Sequence, residues 1–267
     1  MKEKSLDDWK KDSQSFDSVA EEYDDFRPSY PKELVDYIIE VTGLTSKSRI
    51  LEIGAGTGKA IRLFAERGYP MLCIEPGANL AAIAARKLRA YPAIQFEINR
   101  FEDWPVIPEG FDLIISAQAF HWVPREVGYT KAAQALKSGG FLALFWNMYP
   151  GMDGPLRTEL DKIYQEVSPG MATPFTLMEE TIKPRTREIE SSGYFERVTA
   201  KRFPWSMCYT SSQYLGLLNT YSDHISLPME TRQRLFQAIG NMIEKYGGSF
   251  ERPYVAVLFI AQKLSHE

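Results

Sequence analysis

RILEIGAGTGKAIRLFAERGYPMLCIE, residues 49–75, packs three elements and two turns into one short stretch. Ile50-Leu51-Glu52-Ile53 is a short apolar run and reads as a buried strand. Gly54, Ala55, Gly56, Thr57 and Gly58 follow as a turn, and residues 59–67 alternate apolar and charged side chains at helical spacing. A second apolar run, Met71-Leu72-Cys73-Ile74, ends on Glu75. Strand, glycine turn, helix, strand and acid make one βαβ unit whose ligand-binding end lies at the glycines.

Working outward, Pro76-Gly77 turns the chain into a helix over 79–90, and residues 94–98 alternate as a half-buried strand. The loop Phe101-Glu102-Asp103-Trp104-Pro105 leads to a central strand over 111–117, with Gln118, His121 and Trp122 beyond its end. A helix over 125–136, broken by Gly139-Gly140, leads to the next buried strand at 141–146. Upstream, residues 15–23 suit an amphipathic helical turn. Arg27-Pro28-Ser29-Tyr30-Pro31 must leave helix, because proline disfavours helix in the residue before it. Pro31 then opens a helix over 32–41 that Gly43 stops. This alternation of helix and strand demands a parallel sheet covered on both faces.

Residues 147–190 break the rhythm with eight prolines and glycines and helical pieces near 156–167 and 186–192. They read as a lid insertion lined by Met148, Met152, Met171, Phe175, Leu177 and Met178. A strand over 195–207, helices over 212–221 and 229–246 and a last strand over 254–262 finish the chain. The expectation is an α/β, Rossmann-like, doubly wound seven-stranded sheet, mainly parallel with an antiparallel last strand. One domain spans 1–267: cap helices in 1–45, a ligand-binding core in 46–147, the lid in 148–192, and sheet-completing elements in 193–267.

Bulk properties narrow the class. A net charge of −4 argues against nucleic acid as an obligate partner. No run approaches the ~20 apolar residues of a membrane span, and the charged N-terminus lacks an apolar signal core. Cys73 and Cys208 make neither a disulfide framework nor a zinc site, and no metal cluster appears. The expectation is a soluble cytoplasmic protein, monomeric or homodimeric.

Three ligand chemistries compete for the glycine turn. A P-loop needs Gly-x-x-x-x-Gly-Lys-Ser/Thr, but Ile53 stands at the first glycine and Ala60 replaces the hydroxyl. A dinucleotide turn needs Gly-x-Gly-x-x-Gly, whereas the spacing here is Gly54-x-Gly56-x-Gly58. That leaves a nicotinamide-dependent oxidoreductase as the alternative enzyme, and a non-catalytic ligand-sensing domain as the alternative without turnover.

Glu52-x-Gly54-x-Gly56-x-Gly58 resembles the first motif of class I S-adenosylmethionine-dependent methyltransferases. Residues 111–123, FDLIISAQAFHWV, and 23–31, YDDFRPSYP, are similar to the small-molecule subgroup that includes the trans-aconitate methyltransferases. The resemblance covers 15–147 well and only the general layout after that. It implies methyl transfer to a small molecule, an anion being one candidate, and a cofactor site at Tyr23, Arg27, Glu52, Gly54, Ala55, Gly56, Gly58, Glu75, Pro76, Phe101, Glu102 and Gln118. Glu52 would hold the ammonium of the methionine part, and Glu75 would accept both ribose hydroxyls with its two oxygens. Phe101 and Glu102 stand at the adenine contact, although Arg100 replaces the acid or serine that many members carry. Arg27 can pair with the methionine carboxylate or with an acidic substrate.

Ligands of open parallel sheets bind beyond the carboxyl ends of the strands. On the substrate side that places His121, as a base, a contact or a structural residue, together with Trp122, Trp146 and Asn147. Trp122, Trp146 and Tyr149 are candidates for an aromatic wall beside the sulfonium or for ordinary core. Arg157, Arg185 and Arg187 are available for an anion, and Tyr214, Tyr221 and His224 for the pocket roof.

Overall fold

The computed structural model describes residues 17, 20–171 and 178–265. In chain order its elements are α1 (Ala20–Phe26), α2 (Lys32–Thr42), β1 (Ile50–Ile53), α3 (Lys59–Ala65), β2 (Met71–Ile74), α4 (Ala78–Lys87), β3 (Ile94–Glu97) and β4 (Phe111–Ala117). Then follow α5 (Arg125–Ala135), β5 (Leu136–Met148), α6 (Pro155–Val167), α7 (Met178–Ser191), β6 (Phe195–Thr210), α8 (Ser211–Leu218), α9 (Ser222–Ile225), α10 (Met229–Lys245) and β7 (Ser249–Lys263). The strand order is β3-β2-β1-β4-β5-β7-β6, and β7 runs antiparallel to both its neighbours. The expected seven-stranded, mainly parallel sheet with a reversed last strand is the sheet observed.

Both faces are covered, because alternate residues of each strand point opposite ways. Leu51, Ile53, Ile114, Leu144 and Phe259 pack under α5 and α7. Ile50, Cys73, Ile115, Phe145 and Leu258 pack under α2 and α3. A third core, built on Leu160, Tyr209, Leu217, Leu235, Ile239 and Ile243, joins α6, α8 and α10 beyond the sheet edge.

Several boundaries differ from expectation. Gly139 and Gly140 lie inside β5, near a register shift against β4, instead of ending the preceding helix. The helix near 186–192 extends back to Met178 with Pro184 inside it. β6 and β7 are longer than their apolar runs. β7 pairs with β5 only from Val255 onward, and from Tyr254 back to Ser249 it pairs with β6 alone. The two strands therefore leave the sheet as a ribbon whose far end packs on the third core.

The insertion packs part of its apolar lining on the cores. Met148 and Met178 pack on the sheet core, and Met152 packs on the third core. Phe175 and Leu177 lie outside the described residues. The helical turn expected at 15–23 lies partly outside them as well, and α1 begins at Ala20.

Candidate active site

The glycine turn is a left-handed segment, with φ of +73° at Gly54, +54° at Gly56 and +82° at Gly58, values that glycine adopts without penalty. The three glycines do different jobs. A Cβ on Gly54 would stand 2.3 Å from Ala119 Cβ, and one on Gly58 would stand 2.9 Å from Leu88 Cδ1. Both serve protein packing. A Cβ on Gly56 would meet only Tyr23, at 4.0 Å, so it would project into open space below α1.

That space is a pair of adjoining cavities, of about 290 and 140 Å³, which share Tyr23, Arg27, Gly54, Gly56, Ala117 and Gln118. The larger also meets Glu75, Pro76, Asn99, Phe101, Glu102, His121 and Trp122. The smaller meets Glu52, Ala55, Thr57, Lys59, Asn147, Tyr149, Tyr221, Arg252 and Tyr254. Of the residues expected at the site, Gly58 and Trp146 line neither.

At the larger cavity, Glu75 accepts hydrogen bonds from the Gly56 amide (2.7 Å, Oε2) and the Gly77 amide (2.9 Å, Oε1). Burial raises its pKa, and the two amides oppose that rise. Phe101 stacks on Trp104 at 6.0 Å between ring centroids, and Arg100 pairs with Glu102 at 3.4 Å.

His121 sits at the same cavity in a constrained protonation state. Trp146 Nε1 donates to its Nδ1 at 3.2 Å. An indole nitrogen can only donate, so the imidazole proton is on Nε2. Burial and the nearby Arg185 lower its pKa to about 4. His121 is therefore a neutral hydrogen-bond donor, and its one basic lone pair is already used. This geometry supports the contact and structural alternatives for His121 more than that of a general base.

Trp146 is displaced from the aromatic wall by strand alternation. It lies on the face with Leu144, packed edge-on to Phe259 at 5.8 Å with Arg185 over its ring at 4.9 Å. Asn147, one residue on, points to the opposite face and lines the smaller cavity. Its amide nitrogen donates to Ser29 O (2.8 Å), and its oxygen accepts from Trp205 Nε1 (3.0 Å), so it fixes the 27–31 segment to β5.

The smaller cavity concentrates unsatisfied polarity. Five buried side-chain polar atoms among the described residues lack a partner: Glu52 Oε2, Thr57 Oγ1, Gln118 Oε1, Tyr149 Oη and Arg252 Nε. All five residues line this cavity. Arg157 lies near enough to act on Tyr149 electrostatically but makes no hydrogen bond of normal geometry with it. Glu52 is 1% exposed, and burial, then Glu75, holds its pKa well above the carboxylate range. Gln118 also adopts φ of +59°, a conformation uncommon outside glycine and often found at functional sites.

Helix α1 roofs both cavities and is tied down on three sides. Lys59 Nζ donates to Asp24 O (2.6 Å), Lys87 pairs with Asp24, and Arg27 donates to Thr220 Oγ1 and O, both at 2.7 Å. The Arg27 guanidinium also lies over Tyr221 at 4.3 Å. Sequence reasoning missed Lys59, Thr57, Arg252 and Tyr254. Two of the three expected anion ligands of the insertion are engaged elsewhere: Arg157 bonds Asp161, and Arg185 bonds Glu188. His224 bonds Asp223 and Tyr164, as a structural residue.

Sheet order, glycine turn and terminal acid together match the pattern of class I S-adenosylmethionine-dependent methyltransferases. Comparison with known proteins agrees. Residues 50–140 match a family described as methyltransferase domain. An uncharacterised methyltransferase of Mycobacterium tuberculosis is 25% identical over 250 residues, which cover 92% of this chain and 94% of that one. CRG1 of Saccharomyces cerevisiae, whose name points to S-adenosylmethionine-dependent methyl transfer, is 33% identical over 132 residues, 48% of this chain and 45% of that one. Among solved structures, Haemonchus contortus phosphoethanolamine N-methyltransferase 2, bound to S-adenosylhomocysteine and phosphomonomethylethanolamine, superposes with a TM-score of 0.57 at 14% identity. That match covers 99% of this chain and 61% of that one. The [4+2]-cyclase SpnF superposes with a TM-score of 0.53 at 17% identity, covering 91% of this chain and 86% of that one. The fold alone thus hosts more than one chemistry, and the site has to carry the rest.

Proposed function

We propose that this chain transfers the methyl group of S-adenosylmethionine to a small-molecule acceptor, with the cofactor lying across the two cavities. The observation that carries this reading is the cluster of five partnerless polar atoms around the smaller cavity, since buried polar groups are normally hydrogen-bonded. A zwitterionic amino acid end is the kind of group that would satisfy them. Glu52 would take the ammonium, and Arg27, with the turn amides, the carboxylate. Glu75 would accept the ribose hydroxyls, and Asn99, Phe101 and Glu102 would border the adenine. The size of the cavities and the subgroup resemblance of 23–31 and 111–123 support a small acceptor. Free Cys73 and Cys208 fit a reducing compartment and support a cytoplasmic location.

When bound, S-adenosylmethionine supplies an electrophilic methyl carbon attached to a sulfonium. That chemistry would let the acceptor's lone pair bond to the carbon while the carbon–sulfur electron pair stays on sulfur. Because the leaving group is neutral, the residues here have to align, dehydrate and exclude water more than to move protons. Tyr23 and Arg27 close the site from α1. His121 offers Nε2–H as a donor from the opposite wall.

The test is an acceptor screen of small acids, phenols and amines, with released S-adenosylhomocysteine as the readout. Turnover with at least one small acceptor is expected. S-adenosylhomocysteine binding without turnover on any of them would favour the ligand-sensing alternative.

A further inference from the structure

Trp146 borders neither cavity, yet one of its atoms reaches a cavity wall. Its indole nitrogen donates to Nδ1 of His121, which borders the larger cavity from the short turn Phe120–Trp122. Two neighbours hold the Trp146 ring: Phe259 of β7 meets it edge-on at 5.8 Å, and the Arg185 guanidinium of α7 lies over it at 4.9 Å. Arg185 is fixed in turn. Its Nη1 donates to Glu188 Oε1 at 2.7 Å, and the same oxygen accepts from Tyr129 Oη at 2.9 Å. Arg125 pairs with the other Glu188 oxygen at 2.7 Å. The Glu188 side chain is only 9% exposed, so much of this network is shielded from the solvent that weakens surface pairs. A line of contacts therefore runs from α5 and the insertion helix α7, through β5, to a side chain at the larger cavity.

Resting on the methyl-transfer reading above, we propose that Trp146 is a positioning residue, braced by Arg185, that holds His121 as a neutral hydrogen-bond donor at the larger cavity. Neutral imidazole carries one proton, on either of two nitrogens. With Nδ1 taken by an N–H that cannot accept, the proton stays on Nε2, and protonating Nδ1 would sacrifice the Trp146 hydrogen bond. Burial and the Arg185 charge act in the same direction. The consequence concerns charge. An imidazolium would set a second cation against a sulfonium in a water-poor enclosure, where like charges repel more than in bulk water. A neutral donor does not. The other ionisable groups bordering this cavity are Tyr23, Arg27, Glu75, Arg100 and Glu102, and Arg100 pairs with Glu102. None of these five bonds to Trp146, so a change at Trp146 acts on His121. A tryptophan serving packing alone would be replaceable by another ring with no effect on the imidazole.

The test is magnetic resonance of the full chain with nitrogen-15-labelled histidine, the His121 signals being those lost in His121→Gln. Wild type should show the Nε2–H tautomer of His121 and little titration between pH 8 and 5. Trp146→Phe, which keeps a ring but loses the N–H, should mix the two tautomers and bring a titration into that range. Arg185→Met should bring in the titration while keeping the tautomer. A calorimetric arm compares S-adenosylmethionine with S-adenosylhomocysteine, which lacks only the methyl and its positive charge. Between pH 8 and 5.5 the ratio of the two affinities should fall at least about threefold further in Trp146→Phe than in wild type, Glu52 and Glu75 contributing to both proteins. An Nδ1–H tautomer in wild type would overturn the proposal whether or not the variants fold. So would an unchanged tautomer and titration in folded Trp146→Phe, or an affinity ratio that follows wild type, either of which would leave Trp146 to packing. If wild type binds neither ligand, the methyl-transfer reading falls, while the resonance signals still decide whether Trp146 positions His121.

Discussion

Glu52 shows how a single residue is bent to the site. It occupies β1, a strand whose four residues are all buried, and one of its oxygens has no partner. With its pKa raised by burial, the folded chain holds a proton that the unfolded chain releases above its ordinary pKa. Stability is therefore lost as pH rises through that interval, and at pH 7 the carboxyl weakens the apo protein. Glu52→Gln should raise the apo Tm by a few degrees and weaken S-adenosylhomocysteine binding at least about tenfold, since the amide keeps one acceptor oxygen but carries no charge to pair with the ammonium. Scanning calorimetry and titration of the same sample check both directions.

His121 has the opposite sign. Its folded pKa of about 4 lies below the unfolded value near 6.5, so the unfolded chain takes up the proton first as the pH falls. Stability drops between pH 6.5 and 4 by up to about 3 kcal/mol, and above pH 7 the group contributes nothing. Denaturant unfolding of wild type and His121→Gln across that window should show the difference changing with pH below 6.5 and becoming independent of pH near neutrality. The kcat/KM profile should carry no inflection near 6.5 from this residue.

At the scale of elements, α1 is a clamp whose fit depends on α8. A Cβ on Gly216 would come within 2.4–2.6 Å of the Phe26 ring. Gly216→Ala should therefore push α1 outward, cost about 1–3 kcal/mol by overpacking, and weaken S-adenosylhomocysteine binding several-fold, because Tyr23 and Arg27 ride on that helix and its end. Thermal unfolding and titration together separate this from a purely local loss.

Elements also explain what could be read in advance. The βαβ unit was legible because its apolar runs, glycines and acids are contiguous. Trp146 and Asn147 looked equivalent at a strand end, but a period of two sends them to opposite faces. Arg252 was missed because strand β7 was read only from Tyr254, where the apolar run begins, with Pro253 suggesting a break. Pro253 is tolerated because β7 has only β6 beside it there. Continuing the alternation of Ala256 and Tyr254 back two positions would have put Arg252 on the cavity face. The contents of the insertion were not legible, since α6 is placed by contacts with α10, which is remote in sequence.

For the whole molecule, three cores support one site. The two sheet cores set the strand ends that carry Glu52, Glu75, Gln118 and Asn147, and the third core holds the ribbon and helix ends that carry Arg252 and Tyr221. A ligand spanning the cavities touches elements from all of them, so binding should stabilise the chain as a unit. At 100-fold saturation the expected gain is about 2.7 kcal/mol.

The most direct measurement is therefore titration of the apo protein with S-adenosylhomocysteine, for wild type and Glu75→Ala, with NAD as the control ligand. One-to-one binding of S-adenosylhomocysteine, no heat with NAD and at least a 100-fold loss in the folded Glu75→Ala variant are predicted. No binding by wild type, or equal binding by the two proteins, would contradict the assignment of the glycine turn and its terminal acid to this cofactor.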